Sequence, residues 1–513
     1  MVSRPSCITE TVKLAEYLFT HLSQLGVHSI YGVGSCNELD AGYAADAYAR
    51  LKGLGALTTT LGVGELSALN AIAGAHAELA PVSGVKIHRT LNDGNFRHFA
   101  DMYGHVTVAQ VNLTDPSTCP EMIDTAIQQG LMHSRPVYIE VPTDMVAVSV
   151  CAERLNSRIE IAPAMPSQSR AAALSLPMVL VDGESRACRI LDEIQELITT
   201  FGKSCVDESL PNVHGIWKGE FWACENDKSF VALCDLVLCF GPHFSSTNTY
   251  DFTSIPGLRK SIVFAADRIE VFDRSFRDIS CKGFLSKLLQ QLDLSKVLSN
   301  VVVPGTDVQP SDPSPDPSSG RITQAEFCKR FNRFLQPGDM ILAETGTASY
   351  GCRDFELPPH TTLFKPVTWL SIGYMLPAAQ AVPRTILLIG DGSFQMTIQE
   401  LSTIIREKLN VFIVLIYNEG YTIERCLHGW DRQYNDVASW KYLMAPAFFG
   451  ADMSGNAEYG ARTIGDVRTW QDLDKVLDKP FLGMIEVFLD REDAPDYLRS
   501  LLEKQKQEAR SAA

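Results

Sequence analysis

Two apolar runs, and what stands after each, constrain this chain more than any other feature. Thr385-Ile386-Leu387-Leu388-Ile389 and Val411-Phe412-Ile413-Val414-Leu415-Ile416-Tyr417 are nearly continuous in hydrophobic residues, so both read as buried strands. Between them Ile398, Leu401, Ile404 and Ile405 recur at helical spacing as far as Lys408. Strand, helix and strand in that order make a right-handed βαβ unit, whose parallel strands end on one edge of a sheet. At that edge stand Gly390-Asp391-Gly392-Ser393 after the first strand and Asn418-Glu419-Gly420 after the second. Open α/β sheets bind their ligands there.

Asp391 and Asn418 follow neighbouring strands, so their side-chain oxygens can converge on one hard cation. Gly420 would add a backbone carbonyl, and the helix after the glycine turn presents free N–H groups to a phosphate. Carboxylate, amide, carbonyl and phosphate oxygens together suit Mg²⁺. For Gly-Asp-Gly alone the plainer reading is a tight turn joining two core strands. The recurrence of Asn-x-Gly across one helix and one strand makes the cation reading the stronger one.

Composition then removes whole classes of function. A formal net charge of −16 is the wrong sign for a partner held through nucleic-acid phosphates. No run approaches the roughly 18 apolar residues of a membrane span. The first residues, Met1-Val2-Ser3-Arg4-Pro5, lack the apolar block of a signal peptide, and 13 scattered cysteines form no CxxC pair. The expectation is a soluble, reduced, cytoplasmic protein without nucleic-acid or membrane partners.

In chain order, Thr9 caps an expected helix carrying Val12, Leu14, Tyr17, Leu18, Leu22 and Leu25, stopped at Gly26. A strand over His28–Val33, an alanine-rich helix after Asn37, a strand over Gly55–Thr60 and a further helix follow. Gly62-Val63-Gly64 between strand and helix invites a dinucleotide reading, but Ser67 stands where the third glycine belongs, so a nicotinamide or flavin cofactor is set aside. Pro136–Pro142 reads as the strand that ends the first region. Met178–Gly183 and Asp235–Gly241 are strands of a second region, with a helix over Ile190–Ile198. The Pro/Ser/Asp run within 308–320 reads as a linker. The expected division is 1–150, 167–303, linker, 321–496 and a helical tail over 497–513. Three doubly wound parallel-sheet α/β domains are expected.

That layout, with the run Gly390-Asp391-Gly392-Ser393-Phe394-Gln395-Met396-Thr397 and the run Asn418-Glu419-Gly420-Tyr421-Thr422-Ile423-Glu424, resembles the thiamine diphosphate-dependent 2-oxo acid decarboxylases, and their fungal pyruvate decarboxylase branch in particular. The resemblance covers nearly the whole chain. It implies a pyrimidine-binding domain, a middle domain and a diphosphate-binding domain, with thiamine diphosphate and Mg²⁺ as cofactors. Asp391, Asn418 and Gly420 are then the metal residues. Gly390, Gly392, Ser393, Thr347, the carbonyl of Leu370 and the apolar wedge Ile372 hold the cofactor. Glu38 is the acid beside the aminopyrimidine N1′. Glu424 meets the substrate's carboxylate, His88 is a catalytic histidine able to shuttle a proton, and Ile423 walls the substrate pocket. The implied reaction is loss of CO₂ from a 2-oxo acid, most readily pyruvate, to give an aldehyde. The implied assembly is a homodimer or homotetramer, whose sites are shared between copies.

The chain also departs from that pattern. Relatives carry adjacent histidines where this chain has His88-Arg89, and a guanidinium cannot shuttle a proton near neutral pH as imidazole does. They carry Gly-x-Pro-Gly-Asp after the first strand, whereas Tyr31-Gly32-Val33-Gly34-Ser35 passes almost directly to Asn37-Glu38. A second gap lies between Val82 and Ile87 and a third between Gln380 and Ala381, so the first domain reads as truncated. Two alternatives stay open: a decarboxylase of a bulkier aryl or indolyl 2-oxo acid, and a cofactor-binding paralogue with impaired turnover.

Overall fold

The computed structural model describes residues 10–32, 37–60, 62–85, 97–159, 177–182, parts of 204–291, 322–366, 369–381, 384–453, 462–477 and 483–494. The helix expected over Ile190–Ile198, the linker at 308–320, the tail over 497–513, and Thr9, His88 and Arg89 lie outside the described residues. The chain forms two compact units, Met1–Met165 and Pro166–Ala513.

In the first unit a five-stranded sheet has the order Tyr31–Gly32, Gly55–Thr58, Val82–Val85, Val137–Glu140, Ala109–Asn112, parallel throughout. The second gap, after Val82, would take out the strand that relatives carry there, yet a strand is present. Val82–Val85 lies at the centre of this sheet, paired on both sides, because four residues suffice to bridge two ladders. The helix Glu38–Lys52 starts where the Asn37 side chain accepts the Asp40 N–H and stops at Gly53 with φ +97. Its small residues let the helix Val63–Ala77 come close, and a Cβ on Gly42 would stand 2.6 Å from that of Ala71. One expectation fails at the start of this unit. Thr11–Lys13 is a strand paired antiparallel with Ser149–Cys151, and the helix covers only Leu14–Gln24. β-Branched Thr11 and Val12 favour the extended form once a partner strand is at hand.

Among the described residues the second unit holds two sheets. One runs Arg274–Phe276, Arg268–Val271, Ser261–Ala265, Leu236–Phe240, Pro177–Val181; its first three strands are antiparallel neighbours and only the last three run parallel. The expected wholly parallel middle sheet is therefore a mixed one. Its antiparallel strands follow one another with only two residues between each pair, and so short a connection cannot join parallel strands. The other sheet has six parallel strands in the order Thr362–Phe364, Met340–Ala343, Arg384–Gly390, Asn410–Tyr417, Gly483–Phe488, Arg462–Val467. Ile386–Ile389 and Val414–Ile416 are at most 1% exposed, so both faces of these strands are covered. After Met340–Ala343 the next strand is added on one side, and Arg384–Gly390 is added on the other. That reversal opens a crevice at the carboxyl ends of these two strands. No helix among the described residues is long and apolar enough to cross a membrane, and the cysteines among them are free.

Candidate active site

The two strands at the crevice and their neighbour Asn410–Tyr417 each deliver polar groups at their carboxyl ends. Asp391 follows Arg384–Gly390 and is fully buried. Its Oδ1 accepts the Gly392 N–H at 2.7 Å and its Oδ2 the Gly420 N–H at 3.0 Å. Burial raises its pKa to about 6, against the pull of those N–H donors and of Arg425. Asn418 follows the next strand and is 4% exposed, and its Oδ1 has no hydrogen-bond partner among the described residues. A buried amide oxygen left without a donor costs about 1–3 kcal/mol unless something else satisfies it. A cation would.

The turn after Asn418 is shaped for this. Glu419 has φ +61 and Gly420 φ +127, and a Cβ on Gly420 would lie 2.2 Å from the Asn435 carbonyl oxygen. Only glycine fits. Sequence reasoning gave no role to Arg425, whose side chain is fully buried. Its Nη1 donates to the Asn418 carbonyl at 2.9 Å, and Nη2 donates to the Glu419 carbonyl and to Asp436 Oδ1, the latter at 2.9 Å. A five-donor fork is the one side chain able to hold two successive carbonyls and a carboxylate together. Its signal in the sequence is weak, because a charged residue on a short helix ordinarily faces water.

The expected cofactor residues gather at the same edge. Ser393 and Gly392 are buried on the helix Asp391–Thr397, and a Cβ on Gly392 would strike the Tyr421 ring at 2.5 Å. A Cβ on Gly390 would meet nothing within 4 Å, so that glycine faces open space. Thr347 begins the helix Thr347–Gly351 just beyond Met340–Ala343. Leu370 takes φ +54 and stays 39% exposed, so its bulk is accommodated by pointing away from the core. Ile372 is half-buried in the loop ahead of Met375–Ala378. Ile423 is half-buried and Glu424 exposed on the helix Thr422–His428. Two further buried acids went unassigned in the sequence. Glu344 stands at the end of Met340–Ala343, and Glu486 on Gly483–Phe488 is raised to about 7, chiefly by burial and then by Asp466.

In the first unit Glu38 opens the helix Glu38–Lys52, half-buried, its Oε1 over Gly64, where a Cβ would come within 2.7 Å of it. Gly64 makes the room for that carboxylate. Glu65 closes the turn at Gly62–Gly64: its Oε2 accepts the Gly62 N–H at 3.0 Å, and its Oε1 accepts the Tyr138 hydroxyl at 2.7 Å. The Gly62 N–H of this turn is thus satisfied from within the chain.

Comparisons with known proteins identify the family. Residues 344–483 match the family described as thiamine pyrophosphate enzyme, C-terminal TPP binding domain, and residues 18–93 match its N-terminal TPP binding domain. The chain is 48% identical to a pyruvate decarboxylase of Aspergillus parasiticus, with 97% of this chain and 98% of the relative covered. It is 36% identical to one of Aspergillus fumigatus, with 96% of each covered. It is 32% identical to pyruvate decarboxylase isozyme 1 of Saccharomyces cerevisiae, with 95% and 97% covered. The first of these alignments runs to 577 positions, longer than the 513-residue chain, so the relative carries segments that this chain lacks. The chain belongs to the pyruvate decarboxylase family of thiamine pyrophosphate enzymes.

Proposed function

We propose that this protein decarboxylates a 2-oxo acid, with pyruvate as the substrate, to an aldehyde and CO₂ using thiamine diphosphate and Mg²⁺. The orphaned, buried Oδ1 of Asn418 beside the buried carboxylate of Asp391 carries the metal part of this reading. Asp391, Asn418 and the Gly420 carbonyl would hold Mg²⁺, and Gly390, Gly392 and Ser393 would line the diphosphate. When bound, thiamine diphosphate supplies an electron sink for the pair released as CO₂ leaves. Thr347, the Leu370 carbonyl and Ile372 would orient the rings, and Glu38 would hold a proton at the aminopyrimidine. Glu424 would interact with the substrate carboxylate, His88 would move a proton, and Ile423 would limit the length of the substrate's side chain. We further propose pyrimidine-binding, middle and diphosphate-binding domains at 1–150, 167–303 and 321–496. The working form is a cytoplasmic homodimer or homotetramer.

Titrating thiamine diphosphate into the protein with and without Mg²⁺ tests the metal residues, and aldehyde release from pyruvate tests the reaction. Asp391→Ala should lower metal-dependent affinity at least about 100-fold, since losing even an outer partner of a metal ligand costs about 10–100-fold. Equal affinity in both proteins would remove the metal site. Arg89 and the segments missing from this chain favour one second reading, a cofactor-binding relative with slowed turnover. Tight cofactor binding with little aldehyde release would select it.

A further inference from the structure

The loop 370–375 has a backbone that its own residues do little to hold. Leu370 at φ +54 is a branched side chain in the left-handed region, which costs on the order of 1–2 kcal/mol. Gly373 at φ +83 follows three residues later. Ile372 lies between them, so its direction depends on what grips the loop from outside.

Two side chains do so. Glu344, with no exposed surface, accepts the Thr345 N–H at 2.7 Å through Oε1 and the Met375 N–H at 2.9 Å through Oε2, and the Gly373 N–H adds to its donors. From the opposite side the Thr397 hydroxyl donates to the Gly373 carbonyl at 2.7 Å. Gly373 itself is pressed on the same helix, where a Cβ would come 2.8 Å from that of Met396. The loop is thus fastened both to the end of strand Met340–Ala343 and to the helix that begins at Asp391.

We propose that Glu344 is a positioning residue whose carboxylate sets the Ile372 side chain, and through it the bend of the bound cofactor, by gripping the loop's N–H groups. The proposal rests on the reading of Ile372 as the cofactor's apolar wedge. An ionised carboxylate is acceptor-only on both oxygens; an amide replaces one of them with an NH₂ donor, and a leucine accepts nothing. Holding the carboxylate there is unfavourable, since burial drives its pKa up to about 7 despite the N–H bonds. An apolar replacement would strand those N–H groups. The carboxylate thus both satisfies the strand end and fixes the loop.

The test uses the full chain with Mg²⁺ and thiamine diphosphate, without substrate, in wild type, Glu344→Gln and Thr397→Val. Three quantities are measured: thermal unfolding of the cofactor-free protein, cofactor affinity by calorimetry, and exchange of the thiazolium C2 proton for deuterium by NMR. In Glu344→Gln the exchange should slow about tenfold or more, because small misplacements of reacting groups cost up to about 100-fold. Affinity should stay within about threefold. Thr397→Val should shift exchange the same way by less, and it carries the test if Glu344→Gln does not fold. Wild-type exchange rates in both variants, or a loss of affinity with exchange unchanged, would overturn the proposal. A wild-type chain that binds no thiamine diphosphate would overturn the reading beneath it instead.

Discussion

Two turns of this protein use the same local pieces to opposite ends. Each joins a parallel strand to a helix through glycines: Gly62-Val63-Gly64 in the first unit and Gly390-Asp391-Gly392 in the second. In the first, Glu65 reaches back to the Gly62 N–H, and Tyr138 satisfies the remaining carboxylate oxygen. The turn closes on itself. In the second, Asp391 is also bonded to backbone N–H groups, but the neighbouring Asn418 oxygen is left without a partner among the described residues. That turn stays chemically open. A strand–glycine–helix turn therefore signals a ligand only where buried polar atoms remain unsatisfied.

The contrast can be tested from both sides. The largest effect should come from Arg425→Met, which keeps the bulk and removes the fork holding the Asn418 and Glu419 carbonyls. Metal-dependent cofactor affinity should fall about 10–100-fold, the usual cost of losing an outer partner. Affinity unchanged in a Mg²⁺ titration would mean that the turn holds its shape without the clamp. On the closed side, Glu65→Leu strands the Gly62 N–H and the Tyr138 hydroxyl. Denaturant unfolding should show a loss of about 1–3 kcal/mol. If the metal dependence of cofactor binding changed as well, the first turn would not be merely structural.

The smallest effect separates the glycines themselves. Gly390 has φ −75 and open space around its Cβ position, so Gly390→Ala should shift stability by less than about 0.5 kcal/mol. Cofactor affinity should drop all the same, because the added methyl enters the space meant for the ligand. Gly62 has φ +81, where an alanine is strained by about 1–2 kcal/mol, so the same change there should lower the melting temperature and nothing else. Identical behaviour of the two variants would erase the distinction between the turns.

By itself the sequence determined the βαβ unit, the placing of Asp391 and Asn418 on neighbouring strand ends, the α/β class and the family. The first three follow from apolar periodicity and glycine placement, which act over a few residues and survive without knowledge of the rest; the family rested on the resemblance of the whole runs after the two strands. Only the tertiary structure decided how the strands and buried charges are partnered. Val82–Val85 becomes the centre of its sheet through pairing with strands 27 and 54 residues away. Val12 leaves its expected helix for a strand at Val150, and the middle sheet turns antiparallel past Ala265. Glu65 finds Tyr138, Glu344 finds Met375, and Arg425 folds under Asn418 instead of facing water. A buried polar group must be satisfied by whatever the fold brings to it, and that partner is fixed by the packing of distant segments.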